Sequence, residues 1–191
     1  ENKINDINLV RKIINSYNGK TVVFVCEQDQ FYKDQFGVLN EIQQKFYNSP
    51  SRKQDKLLYD ANDYNIAIHL RRGDIVAGQN KIANHTMRWL TDDYFLKALQ
   101  NTLDYITTDK KINIYLFSQG KEIDFIDFDK FPNLNYCLDM GAIDSFLHMV
   151  MADALITSKS SFSYKPALLN KGLKVVPANF WHNYPTTSDW A

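Results

Sequence analysis

The sequence has few cysteines, glycines and prolines, and neither sign of charge is in excess. Its 191 residues include two cysteines, seven glycines and five prolines, with 22 basic and 22 acidic side chains. A chain without net charge has no overall field to attract nucleic acid or an anionic membrane, so we expect neither as a partner. No apolar run reaches the roughly 18 residues of a transmembrane segment, and the N-terminal stretch is too polar for a signal peptide.

The two cysteines, Cys26 and Cys137, lie far apart, each within an apolar run. This placement favours small buried thiols over a disulfide or a pair of metal ligands. It also suits a reducing compartment, so we expect a soluble cytoplasmic protein. The chain begins with Glu1 rather than methionine, which is consistent with a fragment of a longer protein.

Apolar runs and helical stripes alternate through the second part of the chain. Strands are predicted over residues 65–70, 112–118, 155–157 and 173–176, and helices over 91–106, 143–154 and 166–170. Strands separated by helical spans of this length return in the same direction, which implies a parallel sheet with helices on both faces. The predicted fold class is therefore α/β and Rossmann-like. No GxGxxG sequence follows a strand, which argues against a nicotinamide or flavin cofactor.

The first part of the chain is less regular. Apolar residues at three- and four-residue steps predict a helix over residues 4–17, and a β-branched run predicts a strand over 21–26 that is buried on both faces. A second helical stripe contains Phe36, Leu39, Ile42 and Phe46. The polar segment 48–56 then resembles a linker. We therefore divide the chain into an N-terminal helix and strand segment, 1–62, and a second domain, 63–191.

Two adjacent arginines follow the first strand of the predicted sheet, in the stretch NIAIHLRRGDIVAG. Ligands bind outside the carboxyl ends of parallel strands, which is where Arg71 and Arg72 fall. A guanidinium presents a fork of donors that matches phosphate oxygens, so the pair suits a phosphate or diphosphate. Asp74 could orient one guanidinium or accept a proton. The alternative is a surface salt bridge among Arg71, Arg72 and Asp74.

A serine-rich stretch follows a later strand, in ALITSKSSFSYKPALLNKGLKVVP. Serines ahead of a predicted helix beginning near Pro166 offer hydroxyl donors and free backbone N–H groups to an anion. The alternative is ordinary serine capping with proline in the first turn. Both this stretch and the arginines lie at strand ends of one sheet, which together favours a phosphate-bearing ligand.

Two motifs in this order resemble those of a known family. HLRRGD, at residues 69–74, resembles the HxRRGD motif of the alpha-1,2-fucosyltransferases, and SSFS, at 160–163, resembles their SSFSWW motif. Intervening stretches fall in the same order, so the resemblance covers roughly residues 30–181. It implies the donor-binding half of a GT-B glycosyltransferase, in which residues 63–191 are the nucleotide-sugar-binding domain. The segment 1–62 then packs on the core or is a remnant of an acceptor-side domain.

The resemblance implies an inverting transferase that moves fucose from GDP-fucose to a glycan hydroxyl without a metal or other cofactor. Its implied partners are a nucleotide-sugar donor and a glycan acceptor. The catalytic residues that it implies are Arg72, His69 and Asp74. Those that it implies for donor binding are Arg71, Arg72, Asp144, Ser160, Ser161, Phe162 and Ser163.

The sequence also departs from the family pattern. It has no glycine-rich GGLGNQ-like loop, so either the chain is a fragment or the donor half is used differently. Tyr164 and Lys165 replace the two tryptophans after SSFS, and Gln119 and Gly120 replace an acidic pair. A transferase using another GDP-sugar, and a catalytically silent module binding a nucleotide sugar or a glycan, therefore stay open. The candidate general bases are Asp74, Asp92, Asp93 and His85.

Overall fold

The computed structural model describes residues 3–25, 38–75, 87–181 and 184–191, in two compact units, Glu1–Gln30 and Phe31–Ala191. The first unit contains helix α1, Lys3–Ser16, as predicted. The strand predicted over 21–26 is wrong for residues 21–25, which form no strand, and Val23 is 89% exposed. A β-branched run forms a strand only when its backbone pairs with a neighbour. Cys26 lies outside the described residues.

The second unit is built on five parallel strands in the order β3-β2-β1-β4-β5. The strands are β1 Tyr64–His69, β2 Ile112–Ser118, β3 Leu134–Leu138, β4 Ala154–Ile156 and β5 Leu173–Val175. β1 lies in the centre, and its last residue, His69, is in register with Phe117 of β2. The carboxyl ends of these neighbouring strands therefore lie side by side, and the predicted Rossmann-like α/β fold is confirmed.

Helices cover both faces of this sheet. They are α2 Leu39–Tyr47, α3 Asp92–Tyr105, α4 Ala142–Met151 and α5 Ser161–Leu169, with 3-10 helices at Pro50–Gln54 and Glu122–Phe128. Because side chains alternate along a strand, Ile66 and Ile68 of β1 pack with residues of α3 on one face. Ala67 packs with residues of α4 and α5 on the other face. Full burial of each large apolar side chain contributes about 1.5–3 kcal/mol.

Helix α2 is joined to α5 through side-chain hydrogen bonds. The Gln43 Nε2 donates to the carbonyl of Leu168 at 2.8 Å, and the Tyr47 hydroxyl donates to the carbonyl of Leu169 at 3.0 Å. The polar segment predicted as a linker contains a 3-10 helix, in which Arg52 lies over the ring of Phe46 at 4.4 Å from its centroid. The assignment of residues 1–62 to a remnant of an acceptor-side domain stays a prediction.

Two elements differ from the sequence prediction. Strand β3 was not predicted, because Asn133 just before it and Asn135 within it interrupt the apolar pattern. Their side-chain amides donate to backbone carbonyls of β2. Helix α5 begins at Ser161, five residues before the predicted start at Pro166. An interior proline removes one helical bond and its ring crowds the carbonyl four residues earlier, so the sequence pattern favoured a later start. Pro166 is nevertheless inside the helix, where it is buried.

The C-terminal segment 184–191 is bonded to the edge strand β5. The Lys174 N–H donates to the carbonyl of Asp189 at 2.7 Å, and the Ala191 N–H donates to the carbonyl of Lys174 at 2.8 Å. The Lys174 ammonium is only 2% exposed and is paired with the Asp189 carboxylate. Within the described residues, no helix combines the length and apolar character needed to cross a bilayer.

Candidate functional site

A cavity of about 360 Å³ opens at the carboxyl ends of β1, β2 and β3. We call it the donor cavity after the role predicted from the sequence, and it lies where the parallel-sheet rule places a ligand. It is lined by His69, Leu70, Arg71, Arg72, Phe117, Ser118, Gln119, Asp139, Met140, Ala142, Ser145 and Phe162. The structure thus brings together four of the residues assigned from sequence, namely His69, Arg71, Arg72 and Phe162.

The turn after β1 is held by contacts with β2. The Leu70 N–H donates to the carbonyl of Phe117 at 3.0 Å, and the Ser118 hydroxyl donates to the Leu70 carbonyl at 2.9 Å. A side-chain hydroxyl thus replaces the next backbone N–H donor of the sheet, so the strand ends here. Gly73, at φ +76°, then reverses the chain in a conformation that favours glycine. The two arginines directly precede this reversal.

Arg72 is locked in place and only 7% exposed. One of its terminal nitrogens forms an ion pair with Asp92, and the other donates to the Arg71 carbonyl at 2.9 Å. Its guanidinium carbon lies 4.1 Å from the centroid of Trp89, a favourable cation–π distance. Since a guanidinium has five N–H donors, these partners leave others for the cavity that Arg72 lines.

Arg71 is held far more loosely. Its guanidinium pairs with Asp74 at 2.8 Å, and the two side chains are 28% and 55% exposed. An exposed pair of this kind contributes only about 0–1 kcal/mol, so an anion in the cavity can replace Asp74 at small cost. Both arginines are therefore ion-paired. Arg71 pairs with Asp74, as the salt-bridge alternative predicts, whereas Arg72 pairs with Asp92.

His69 is a buried histidine that is hydrogen-bonded to a serine. Its Nδ1 lies 2.9 Å from the Ser158 hydroxyl, which in turn lies 3.4 Å from the Ser163 hydroxyl. The Ser163 hydroxyl lies within 3.3 Å of the Ser158 and Ser160 carbonyls and accepts from the Ser158 N–H. When Ser158 donates to Nδ1, the proton of the neutral ring is on Nε2. Burial, reinforced by the charges of Arg71 and Arg72, lowers the His69 pKa to about 3, so the ring is neutral near pH 7.

Acidification from pH 7.5 to 5.5 is expected to cost about 1.4 kcal/mol of folding stability through His69. The pKa is lower in the folded than in the unfolded chain, where it is 6.5, so protons bind the unfolded chain first and stability falls as pH falls. Urea unfolding of wild type and His69→Gln at both values measures the difference. Equal losses in the two proteins would contradict the assignment.

The serine motif forms a helix cap. The Ser160 hydroxyl accepts from the Phe162 N–H at 3.2 Å, so the capping alternative describes its contact, with Pro166 inside the helix rather than in its first turn. Ser161 and Ser163 lie in the helix itself, and Ser163 has no exposed surface. Phe162 reaches the donor cavity and packs on His69 with ring centroids 5.4 Å apart. Donor contacts by the three serines stay predictions.

Loss of the Ser160 cap is expected to destabilise the fold by about 1 kcal/mol in Ser160→Ala. Ser160→Thr keeps the hydroxyl and should retain most of that stability. Chemical denaturation gives the free energies of unfolding, and calorimetry gives the affinity for GDP. A loss of affinity with unchanged stability would instead support the donor contact implied by the family resemblance.

The other assigned carboxylates lie around the cavity rather than in its lining. Asp144 is exposed in the first turn of α4, and its carbonyl accepts from His148 Nδ1 at 2.7 Å. Asp92 is paired with Arg72, Asp93 is exposed, and His85 lies outside the described residues. The part of the chain that the structure describes has no cluster of three side chains suited to holding a metal. The roles of Asp74 and Asp144 stay predictions.

Several lining residues were missed from sequence. Asp139 and Met140 follow the unpredicted strand β3, and Ser145 comes from the first turns of α4. Trp89, which packs on Arg72, was not singled out either. A polar residue directly after an apolar run, as in CLDM, is the signal that could have indicated Asp139. Trp89 carries no signal in the sequence, because its partner is 17 residues away.

No protein-family model matches the chain, and no curated protein matches it. Solved structures that resemble it include the fucosyltransferase NodZ from Bradyrhizobium, at 11% identity and a TM-score of 0.42 over 69% of this chain. They also include NodZ alpha-1,6-fucosyltransferase soaked with GDP-fucose, at 11% identity and a TM-score of 0.43 over 69% of this chain. The same enzyme co-crystallised with GDP resembles this chain at 10% identity and a TM-score of 0.38 over 71% of this chain. This chain spans 41% of the length of each of those chains.

Proposed function

We propose that this chain binds the diphosphate of a nucleotide sugar in the donor cavity and acts as a glycosyltransferase. The donor that we propose is GDP-fucose, the acceptor is a glycan hydroxyl, and the transfer is inverting and independent of metal. One observation carries the proposal: a cavity at the carboxyl ends of three parallel strands is lined by Arg71, Arg72 and His69. The fucose and GDP specificity rests on the HLRRGD and SSFS resemblance.

The two arginines suit different tasks because they differ in mobility. Arg72 is held by Asp92 and Trp89, so its charge is fixed before a ligand arrives. Fixed donors cost no reorganisation during the reaction. Arg71 can leave the exposed Asp74 and close on a phosphate, where each charge-assisted bond contributes about 1.5–3 kcal/mol. The loss of one surface pair is therefore smaller than the expected gain.

His69 complements these charges as a neutral donor. With Nδ1 occupied by Ser158, its Nε2–H can bond to a phosphate oxygen without adding a third cation to the site. Ser163 acts in this proposal through Ser158 and His69, because its side chain is fully buried. Asp144 and the helix cap at Ser160 lie beside the cavity and belong to the nucleotide side.

The proposed reaction is a single displacement. The acceptor oxygen forms a bond to the anomeric carbon while the bond from that carbon to the phosphate oxygen breaks. The electron pair leaves with GDP, the acceptor proton passes to a base, and attack from the opposite side inverts the anomeric configuration. Negative charge grows on the β-phosphate, so Arg71 and Arg72 stabilise the transition state more than the ground state.

Calorimetric titration with GDP-fucose, GDP, GDP-mannose and UDP-glucose tests the binding. We expect GDP compounds to bind without metal, with little change on adding Mg²⁺, and UDP-glucose to bind weakly or not at all. A parallel assay follows labelled fucose from GDP-fucose onto a mixture of neutral glycans, with and without EDTA. Binding without transfer would make the chain a nucleotide-sugar-binding module, and no binding would refute the proposal.

A further inference from the structure

A second cavity lies on the other side of the turn at Gly73. This acidic cleft has a volume of about 370 Å³ and is lined by Arg72, Gly73, Trp89, Asp92, Gln119, Gly120, Asp124 and Phe125. It shares Arg72 and Gln119 with the donor cavity, so the two cavities meet at the same pair of side chains. A group bound in the cleft would lie next to a phosphate bound beside Arg72.

The lining of the acidic cleft differs in charge from that of the donor cavity. Asp92 and Asp124 contribute carboxylates, and the guanidinium of Arg72 is already paired with Asp92. Carboxylates accept hydrogen bonds from hydroxyl groups but repel phosphate oxygens. The cleft therefore suits a neutral ligand rich in hydroxyl groups and disfavours a second anion.

Aromatic side chains give the cleft an apolar surface. Trp89 is partly exposed, and the guanidinium of Arg72 packs on its ring. The ring of Phe125 lies close to Gly120. A pyranose ring presents C–H groups on its faces and hydroxyls at its edge, which matches an aromatic side chain flanked by carboxylates.

Glycines keep this cleft open. Gly120 has φ +131°, and a methyl group added there would lie 2.9 Å from the Asp124 carboxylate. A methyl group on Gly73 would collide with the Gln119 side chain. Side chains at these two positions would press on Asp124 and Gln119, which line the cleft.

We propose that the acidic cleft binds the acceptor as a neutral sugar, with Trp89 packing on the ring and Asp124 accepting from its hydroxyls. This inference rests on the proposed function, because it assigns the second substrate of the same transfer. Asp124 already accepts from the Lys121 N–H at 2.8 Å through one carboxylate oxygen. Its other oxygen lies on an exposed side chain and serves the ligand.

Fluorine NMR of protein labelled with fluorotryptophan tests this assignment. The chain has three tryptophans, and Trp89→Phe identifies the Trp89 signal. Methyl glycosides of glucose, galactose, mannose and N-acetylglucosamine are titrated to about 50 mM, a range that detects millimolar affinity, with methyl glucuronide as the anionic control. We expect at least one neutral glycoside to shift the Trp89 signal saturably, and methyl glucuronide to have a smaller effect.

Asp124→Asn is the matched variant, since its amide oxygen can still accept from Lys121 N–H and preserve the turn. We expect this variant to weaken glycoside binding at least fivefold. Asp127→Asn replaces an exposed acid outside the cleft and should leave glycoside binding unchanged. Absence of any shift, or an equal shift in Asp124→Asn, would overturn the inference. GDP is titrated separately into the same sample by calorimetry. GDP binding without a glycoside response refutes the acceptor cleft alone, and a glycoside response without GDP binding refutes the donor site alone.

Discussion

Replacing Arg71 by alanine is expected to weaken GDP binding about 10- to 100-fold while leaving the free energy of unfolding within about 1 kcal/mol of wild type. Within the described part of the chain, the Arg71 side chain pairs with the exposed Asp74, so the fold loses little with it. In the proposed complex the same guanidinium bonds to the diphosphate, and that bond is lost. Calorimetric titration with GDP and urea unfolding of the same preparation measure the two effects.

Two variants control this result. Asp74→Asn removes the competing carboxylate, so we expect GDP affinity to rise by about two- to fivefold. Arg11→Ala removes the same charge from an exposed position of α1 and should leave affinity unchanged. Unchanged affinity in Arg71→Ala, or an equal loss in Arg11→Ala, would show that Arg71 does not contact the diphosphate.

Asp189→Asn is expected to destabilise the fold by about 3 kcal/mol or more, because it leaves the Lys174 ammonium buried without a counter-charge. Lys174 is 2% exposed and Asp189 is 42% exposed, so loss of the lysine destabilises the fold less than loss of the aspartate. In Lys174→Met the Asp189 carboxylate can be hydrated by solvent, and we expect the free energy of unfolding to fall by about 1–2 kcal/mol. Urea unfolding of both single variants and the double variant gives the three free energies.

The double variant distinguishes the charge effect from a loss of packing. If the buried ammonium is the cause, Lys174→Met combined with Asp189→Asn is more stable than Asp189→Asn alone. Burial opposes ionisation of Asp189, but hydrogen bonds from Lys174 and Thr187 outweigh it and lower its pKa below 3.8. Its contribution is therefore complete above pH 3.8 and is lost as pH falls through the lower folded-state pKa. A loss of stability in the double variant equal to the sum of the losses in the two single variants would contradict this account.

The sheet and the position of the arginines could be predicted from sequence because both depend on local patterns. The apolar run of β1 has the pattern of a strand that is buried on both faces, and Arg71 and Arg72 follow where it ends. The helix between β1 and β2 is equally local, since its apolar spacing defines one buried side. These features require no knowledge of contacts between distant residues.

The pairing of the arginines could not be predicted, because it depends on how α3 packs back against β1. Asp92 lies 20 residues after Arg72 in the sequence, and only the fold brings its carboxylate to the guanidinium. The cap at Ser160 illustrates the same limit. A serine before a helix serves equally well as an anion ligand or as a cap, and only the bond from the Phe162 N–H distinguishes them. Strand β3 and Asp139 at its end were missed for a related reason, because the burial of the β3 side chains depends on contacts with residues distant in the sequence.

A crystal structure of the GDP complex tests the central claim most directly, namely that the donor cavity holds a diphosphate. We predict that β-phosphate oxygens lie within hydrogen-bond distance of the Arg71 guanidinium and His69 Nε2, with Asp74 displaced from Arg71 and the Arg72–Asp92 pair intact. A diphosphate bound elsewhere, with Arg71 still on Asp74 and the donor cavity free of nucleotide, would contradict the account.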